Sequence, residues 1–206
     1  MSTLRIAVFA SGSGSNFQAL TDAVQEGKLD ARIELLVCDR PQARVVSRAE
    51  AAGIPVLAFR PKDYADKGGK AAYEQEIVAQ LQSAGVELVV LAGYMRIVGE
   101  TLLDAYRDRI INLHPSLLPS FPGLDAIGQA LAHGVKVTGI TVHVVDGGMD
   151  TGPIIAQRAV EVLESDDAEA LAARIHQAEH ELLPQAVQLF CEKRVQVDGR
   201  RVIIDK

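Results

Sequence analysis

Several things are scarce in this sequence, and each scarcity narrows what the chain can be. Its 206 residues include two cysteines, Cys38 and Cys191, far apart and without metal-like spacing. That argues against a disulfide framework or a cysteine zinc site and for free, reduced thiols in a cytoplasmic protein. The formal net charge is −6 and no dense run of lysine and arginine occurs. The electrostatic footprint of a nucleic-acid binder is therefore missing, and binding to a membrane surface is disfavoured with it. An anionic substrate is not excluded, because one pocket can be positive on a negative protein. No apolar stretch reaches the length of a membrane span. The opening residues, MSTLRIAVFASGSGSN, enter a strand pattern at once, so no signal peptide is expected. No internal repeat, low-complexity tract or flexible linker interrupts the chain. The five histidines include no pair at a convincing metal spacing, and no metal site is expected.

What is present is a large apolar fraction, 48% of residues, enough to bury a sizeable core. In the first half, nearly continuous apolar runs at Leu4–Ala10, Ile33–Cys38, Pro55–Phe59, Glu87–Gly93 and Arg109–His114 read as strands covered on both faces. Helical patterns lie between them at Phe17–Glu26, Ala43–Ala52 and Gly69–Ala84, the last with Tyr73, Ile77 and Leu81 at a spacing of four. The second half changes character. Val137–Val145 and Gly152–Val162 read as an antiparallel pair joined through DGGMD. Ser165–Phe190 reads as a helix capped by Ser165 or Asp166, which Pro184 should kink or restart. A small hairpin turning at Asp198-Gly199 ends the chain. The expected fold is α/β: one domain with an open, mostly parallel twisted sheet, helices on both faces and an antiparallel C-terminal part.

Three stretches carry chemistry. The first, FASGSGSNFQAL, is a strand, a Gly/Ser loop and a helix start. Gly12 and Gly14 permit a tight turn, Ser15 and Asn16 are good capping types, and the helix N-terminus attracts an anion. An ordinary βα turn is the plainer reading. Phe17 stands where a dinucleotide motif needs its third glycine, and there is no Walker lysine. The second stretch is INLHPSLLPSFPG. Residues two apart on a strand point to the same side, so Asn112 and His114 project together at the carboxyl end of a sheet strand, where open α/β sheets place ligands. Pro115, Pro119 and Pro122 end the pairing and stiffen the loop that follows. An amide beside an imidazole suits a developing oxyanion and proton transfer. The third, VVDGGMDTGP, offers Asp146 and Asp150 in a glycine-rich loop, either of which could orient His114 or serve only the turn. His143 alternates with valines and reads as a core histidine. Glu179 and His180 read as a solvated helix face, and His133 and His176 as surface residues. Met95 and Arg96, following a strand, could line a pocket for a flat apolar ligand.

Taken together, the motifs SGSGSN, AGYMRIV, INLHPSLLPSFPG, TVHVVDGGMDTGP and AEHELLP appear in the order seen in the folate-dependent formyltransferases. The chain resembles that superfamily over nearly its whole length, and within it the glycinamide ribonucleotide formyltransferases of purine synthesis. The resemblance implies Asn112, His114 and Asp150 as catalytic residues. It implies 10-formyltetrahydrofolate as co-substrate, with no metal and no covalent enzyme intermediate. Gly14, Ser15 and Asn16 would hold the ribonucleotide phosphate, and Glu179 its glycinamide end. Lys70, Met95, Arg96, Ile97, Val98, Asn112 and the loop of Asp146, Gly147, Gly148, Met149 and Asp150 would hold the folate. Residues 1–100 would form the phosphate-binding half and residues 101–206 the folate-binding, catalytic half. Partners would be small molecules, with neither nucleic acid nor membrane, in a monomer or homodimer. Two departures stand out. DAIGQAL, with Asp125 and Gly128, replaces a histidine-containing stretch, and position 70 is Lys rather than Arg.

Relatives within the superfamily define the rivals. A methionyl-tRNA formyltransferase would need a further C-terminal domain and a basic patch. A formyltetrahydrofolate hydrolase would carry a regulatory domain before the first strand. A non-catalytic folate- or nucleotide-binding module would not need Asn112, His114 and Asp150 together. A dinucleotide-dependent oxidoreductase is disfavoured by Phe17.

Overall fold

Strand β1 (Leu4–Ala10) shows how the sheet is built. Ile6, Val8 and Ala10 face one core, while Ala7 and Phe9 face another. A strand apolar on both sides needs a layer on each side, and the computed structural model, which describes residues 3–205, supplies both. One layer packs helices α1 (Ser15–Gln25), α2 (Arg44–Ala51) and the long C-terminal helix against the sheet through Phe17, Leu20, Val45, Leu171 and Ile175. The other packs α3 (Gly69–Ser83) and α4 (Glu100–Ala105) through Tyr73, Ile77, Leu81 and Leu102.

The sheet adds β2 (Ala31–Cys38), β3 (Val56–Ala58), β4 (Leu88–Leu91), β5 (Ile110–His114), β6 (Val137–Val144) and β7 (Ile154–Glu161). Its seven strands run in the order β3-β2-β1-β4-β5-β6-β7. The first five are parallel, while β5–β6 and β6–β7 are antiparallel. The strand order reverses between β1 and β4, which opens a crevice beyond their carboxyl ends. The expected mostly parallel α/β sheet with an antiparallel C-terminal part is what the chain forms. No helix among the described residues is long and apolar enough to cross a membrane.

The remaining elements are α5 (Ala126–His133), α6 (Ala168–Cys191) and the hairpin of β8 (Val195–Asp198) and β9 (Arg201–Ile204). Helices α4 and α5 and a 3-10 turn at Pro61–Lys67 are additions to the sequence reading; each is short and flanked by glycine or proline. Two expectations for α6 need correction. Its cap is Asp167, which accepts from the Ala170 N–H at 2.8 Å, because Asp166 is engaged by the Leu163 N–H and Arg174. The helix also continues through Pro184 rather than restarting. Proline there removes one backbone donor, and packing of Leu182, Leu183, Ala186 and Val187 into the core offsets that loss.

Candidate active site

The Gly/Ser loop meets α1 with Gly14 as the capping residue, at φ 74° and with no side-chain cap. Ser15 and Asn16 therefore lie inside the first turn and do not cap it. A Cβ on Gly14 would come 2.5 Å from Val45 Cγ2 and 3.0 Å from Val45 Cα, so only glycine fits both the backbone angle and the space. Arg48 of α2 braces the loop from behind, donating to Ser13 O and Gln18 Oε1 at 2.9 Å each. No acidic residue occupies the first turn of α1, which leaves its N–H groups open to an anion. Asn16 Nδ2 donates to Glu179 Oε2 at 2.9 Å, and Asn16 Oδ1 is buried without a partner among the described residues. An orphaned buried acceptor at a helix start is suited to a ligand donor.

Glu179 is only 4% exposed, so its reading as a solvated face is corrected. Burial is offset by two donors, Asn16 Nδ2 and His176 Nδ1, the latter at 2.9 Å. The hydrogen bond to Glu179 raises the His176 pKa above its ordinary value, against the opposing effect of burial. His180 goes the other way, lowered by burial, and its Nε2 has no partner among the described residues.

At the carboxyl end of β5, Asn112 and His114 share one face, as their spacing requires. Asp150 arrives from the β6–β7 loop. His114 Nδ1 lies 3.4 Å from Asp150 Oδ2, and Asn112 Nδ2 lies 3.4 Å from Asp150 Oδ1. His114 Nε2 stands 2.8 Å from Phe121 O. Both imidazole nitrogens thus face acceptors. Asp150 Oδ2 also accepts from the Gly123 N–H at 2.7 Å. Burial pushes the Asp150 carboxyl up, but His143, the Gly123 N–H and the charge on His114 together outweigh it and hold the group below the ordinary carboxylate range. Phe121 and Asp150 both have positive φ, 53° and 55°. These uncommon backbone angles aim the Phe121 carbonyl and the Asp150 carboxylate at one imidazole.

His143, read from sequence as a core residue, is buried but belongs to this cluster. It sits opposite Asn112 across the β5–β6 pair and lies 3.2 Å from Asn112 Nδ2 through Nε2. Its Nδ1 donates to Val144 O at 2.9 Å, and its Nε2 lies 3.6 Å from Asp150 Oδ1 as well as facing the Asn112 amide. The valine alternation fixed which face His143 occupies; only the strand register shows what it faces. Asp146 serves the turn instead, accepting from the Gly148 N–H and the Thr151 hydroxyl at 3.0 and 2.6 Å.

The segment after β4 presents Met95, Arg96 and Ile97 to solvent, whereas Val98 turns into the core. Met95 and Ile97 are 54% and 63% exposed, and Met149 in the β6–β7 loop is 54% exposed. Gly147 and Gly148 lie exposed beside Met149 in the β6–β7 loop. Lys70, at the start of α3, lies over Gly99 at the end of the segment, close to Glu74. The DAIGQAL departure has a local explanation. Asp125, at φ 53°, caps α5 by accepting from the Gly128 N–H at 3.2 Å. A Cβ at position 128 would approach that carboxylate to 2.2 Å, so the two residues suit each other.

A crevice at a switch point, an open helix start and an Asn-His-Asp cluster define a group-transfer enzyme site more readily than a simple binding cleft. The chain belongs to the formyl transferase family, whose model matches residues 4–187. It is 58% identical over 184 residues to phosphoribosylglycinamide formyltransferase of Bacillus subtilis, covering 89% of this chain and 93% of that one. It is 43% identical over 188 residues to the trifunctional purine biosynthetic protein adenosine-3 of Drosophila melanogaster, covering 90% of this chain and 14% of that longer protein. The crystal structure of glycinamide ribonucleotide transformylase 1 from Symbiobacterium toebii superposes with a TM-score of 0.96 at 47% identity, covering 100% of this chain and 95% of that one.

Proposed function

We propose that this chain transfers the formyl group of 10-formyltetrahydrofolate to the amine of phosphoribosylglycinamide, a step of purine synthesis. The observation that carries the reading is the meeting of Asn112, His114 and Asp150 within 3.4 Å contacts, although Asp150 comes from a separate loop. The substrate amine attacks the formyl carbon and makes a tetrahedral oxyanion. The C–N10 bond then breaks, and the proton lost by the amine ends on the folate nitrogen. Protonated His114 and the Asn112 amide steady the oxyanion. Asp150, facing His114 Nδ1, relays the proton between the two nitrogens. The phosphate sits on the N–H groups of Gly14, Ser15 and Asn16, and the buried Glu179 and Asn16 Oδ1 receive the ribosyl-glycinamide end. The flat pterin lies between the Met95–Ile97 surface and the Asp146–Asp150 loop, against the backbone of Val98, with Lys70 towards its tail.

In this reading residues 1–100 chiefly bind phosphate and residues 101–206 bind folate and catalyse. The reaction calls on no metal. A cytoplasmic setting accords with the free thiols of Cys38 and Cys191. The test is tetrahydrofolate release from 10-formyltetrahydrofolate with and without the ribonucleotide. Release that depends on the ribonucleotide, with formylated product, is expected. Release without it would make the chain a hydrolase.

A further inference from the structure

The Met95–Ile97 segment is largely exposed, and it is held from below at both ends. Its near end is tied to a buried carboxylate that none of the proposed chemistry uses. Asp39, just past β2, is 7% exposed, and Ser11, just past β1, is 1% exposed. The Ser11 hydroxyl donates to Asp39 Oδ1 at 2.5 Å and accepts from the Met95 N–H at 2.9 Å. Arg96 Nε stands 3.4 Å from Asp39 Oδ2. The Ser11 N–H, in turn, donates to Gly93 O at 3.0 Å. The far end is tied the same way, with the Gly99 N–H donating to the buried Glu74 carboxylate at 2.7 Å.

We infer that Asp39 and Ser11 are positioning residues for the folate-binding segment, setting the backbone at Met95 and the guanidinium at Arg96. The inference rests on the folate reading of that segment. Asp39 orients the Ser11 hydroxyl, because a carboxylate is an acceptor only and forces the hydroxyl proton onto itself. The oxygen lone pairs of Ser11 are then left for the Met95 N–H. The same carboxylate holds Arg96 in a pocket also lined by Arg40, Pro41, Gln42, Arg60, Pro61 and Lys62, whose cations would repel it. Asp39→Asn keeps an acceptor for Ser11 and removes the charge that retains Arg96. Ser11→Ala removes the acceptor of the Met95 N–H and keeps the ion pair. Each variant therefore tests one arm of the link.

The experiment measures KM and kcat for both substrates in Asp39→Asn, Ser11→Ala and Ile97→Asp, with a thermal unfolding midpoint for each. Both positioning variants should raise KM for 10-formyltetrahydrofolate on the order of tenfold, as expected for loss of a charge-assisted hydrogen bond. KM for the ribonucleotide and kcat at saturation should stay near wild type. An unchanged folate KM with only a lowered unfolding midpoint would reduce the pair to a structural role and overturn the inference. A parallel rise in the ribonucleotide KM would also overturn it, assigning the link to the Gly/Ser loop. Ile97→Asp, at an exposed position, separates the two levels. If it leaves the folate KM unchanged, the folate reading of the segment fails first. If it raises that KM while the other two variants do not, the inference alone fails.

Discussion

Asp150 carries its charge in a conformation that most residues avoid, and three neighbours make that tolerable: the Gly123 N–H, His114 and Asn112. Asparagine is also at home at positive φ, so Asp150→Asn should fold while losing the charge that supports His114. We expect kcat to fall by about 10²–10⁴, the span of a lost acid–base group, with folate binding retained; steady-state kinetics and titration with tetrahydrofolate check this. At this scale the sequence was informative where chemistry follows from spacing alone. Asn112 and His114 had to share a face because strand side chains alternate. The preference for Asp150 over Asp146 came only from family likeness, since nothing in DGGMD says which acid turns inward. The link between His143 and Asn112 depends on the β5–β6 register, and that of Ser11 with Asp39 on the order of β1, β2 and β4 in the sheet. Neither can be read from local sequence.

Among the elements, the parallel strands were legible because both faces are buried and the apolar runs are nearly unbroken. The short helices α4 and α5 were not, since two turns give too little periodicity to outweigh flanking glycine and proline. The cap of α6 was ambiguous because Ser165, Asp166 and Asp167 are all capping types, and tertiary contacts with Arg174 decide among them. Asp167→Ala should therefore cost about 1 kcal/mol, lowering the thermal midpoint by roughly 2–4 °C for a chain of this size. The same change at Ser165 should leave the midpoint nearly unmoved. At the start of α1, Gly14→Ala would strain a left-handed residue and press on Val45. It should raise KM for the ribonucleotide well before that for folate, an outcome that initial-rate measurements with each substrate varied in turn would register.

For the molecule as a whole, two ionisable groups of the site tie stability to pH in opposite senses. The Asp150 pKa is lowered in the folded state, so its contribution is present above the ordinary carboxylate value of about 4 and is lost as pH falls through the folded value. The His176 pKa is raised, so its contribution is complete below about 6.5 and is lost as pH rises through the raised value. Denaturant unfolding across pH should show both limbs. Asp150→Asn should flatten the acid limb and His176→Gln the neutral-to-alkaline one. The central claim, that the Asn-His-Asp cluster performs the transfer, is met most directly by single-turnover formyl transfer with His114→Ala, alongside its affinity for tetrahydrofolate. The account predicts a folded protein that binds tetrahydrofolate as the wild type does and transfers the formyl group at least about a hundredfold more slowly. Transfer at a near-normal rate would contradict it.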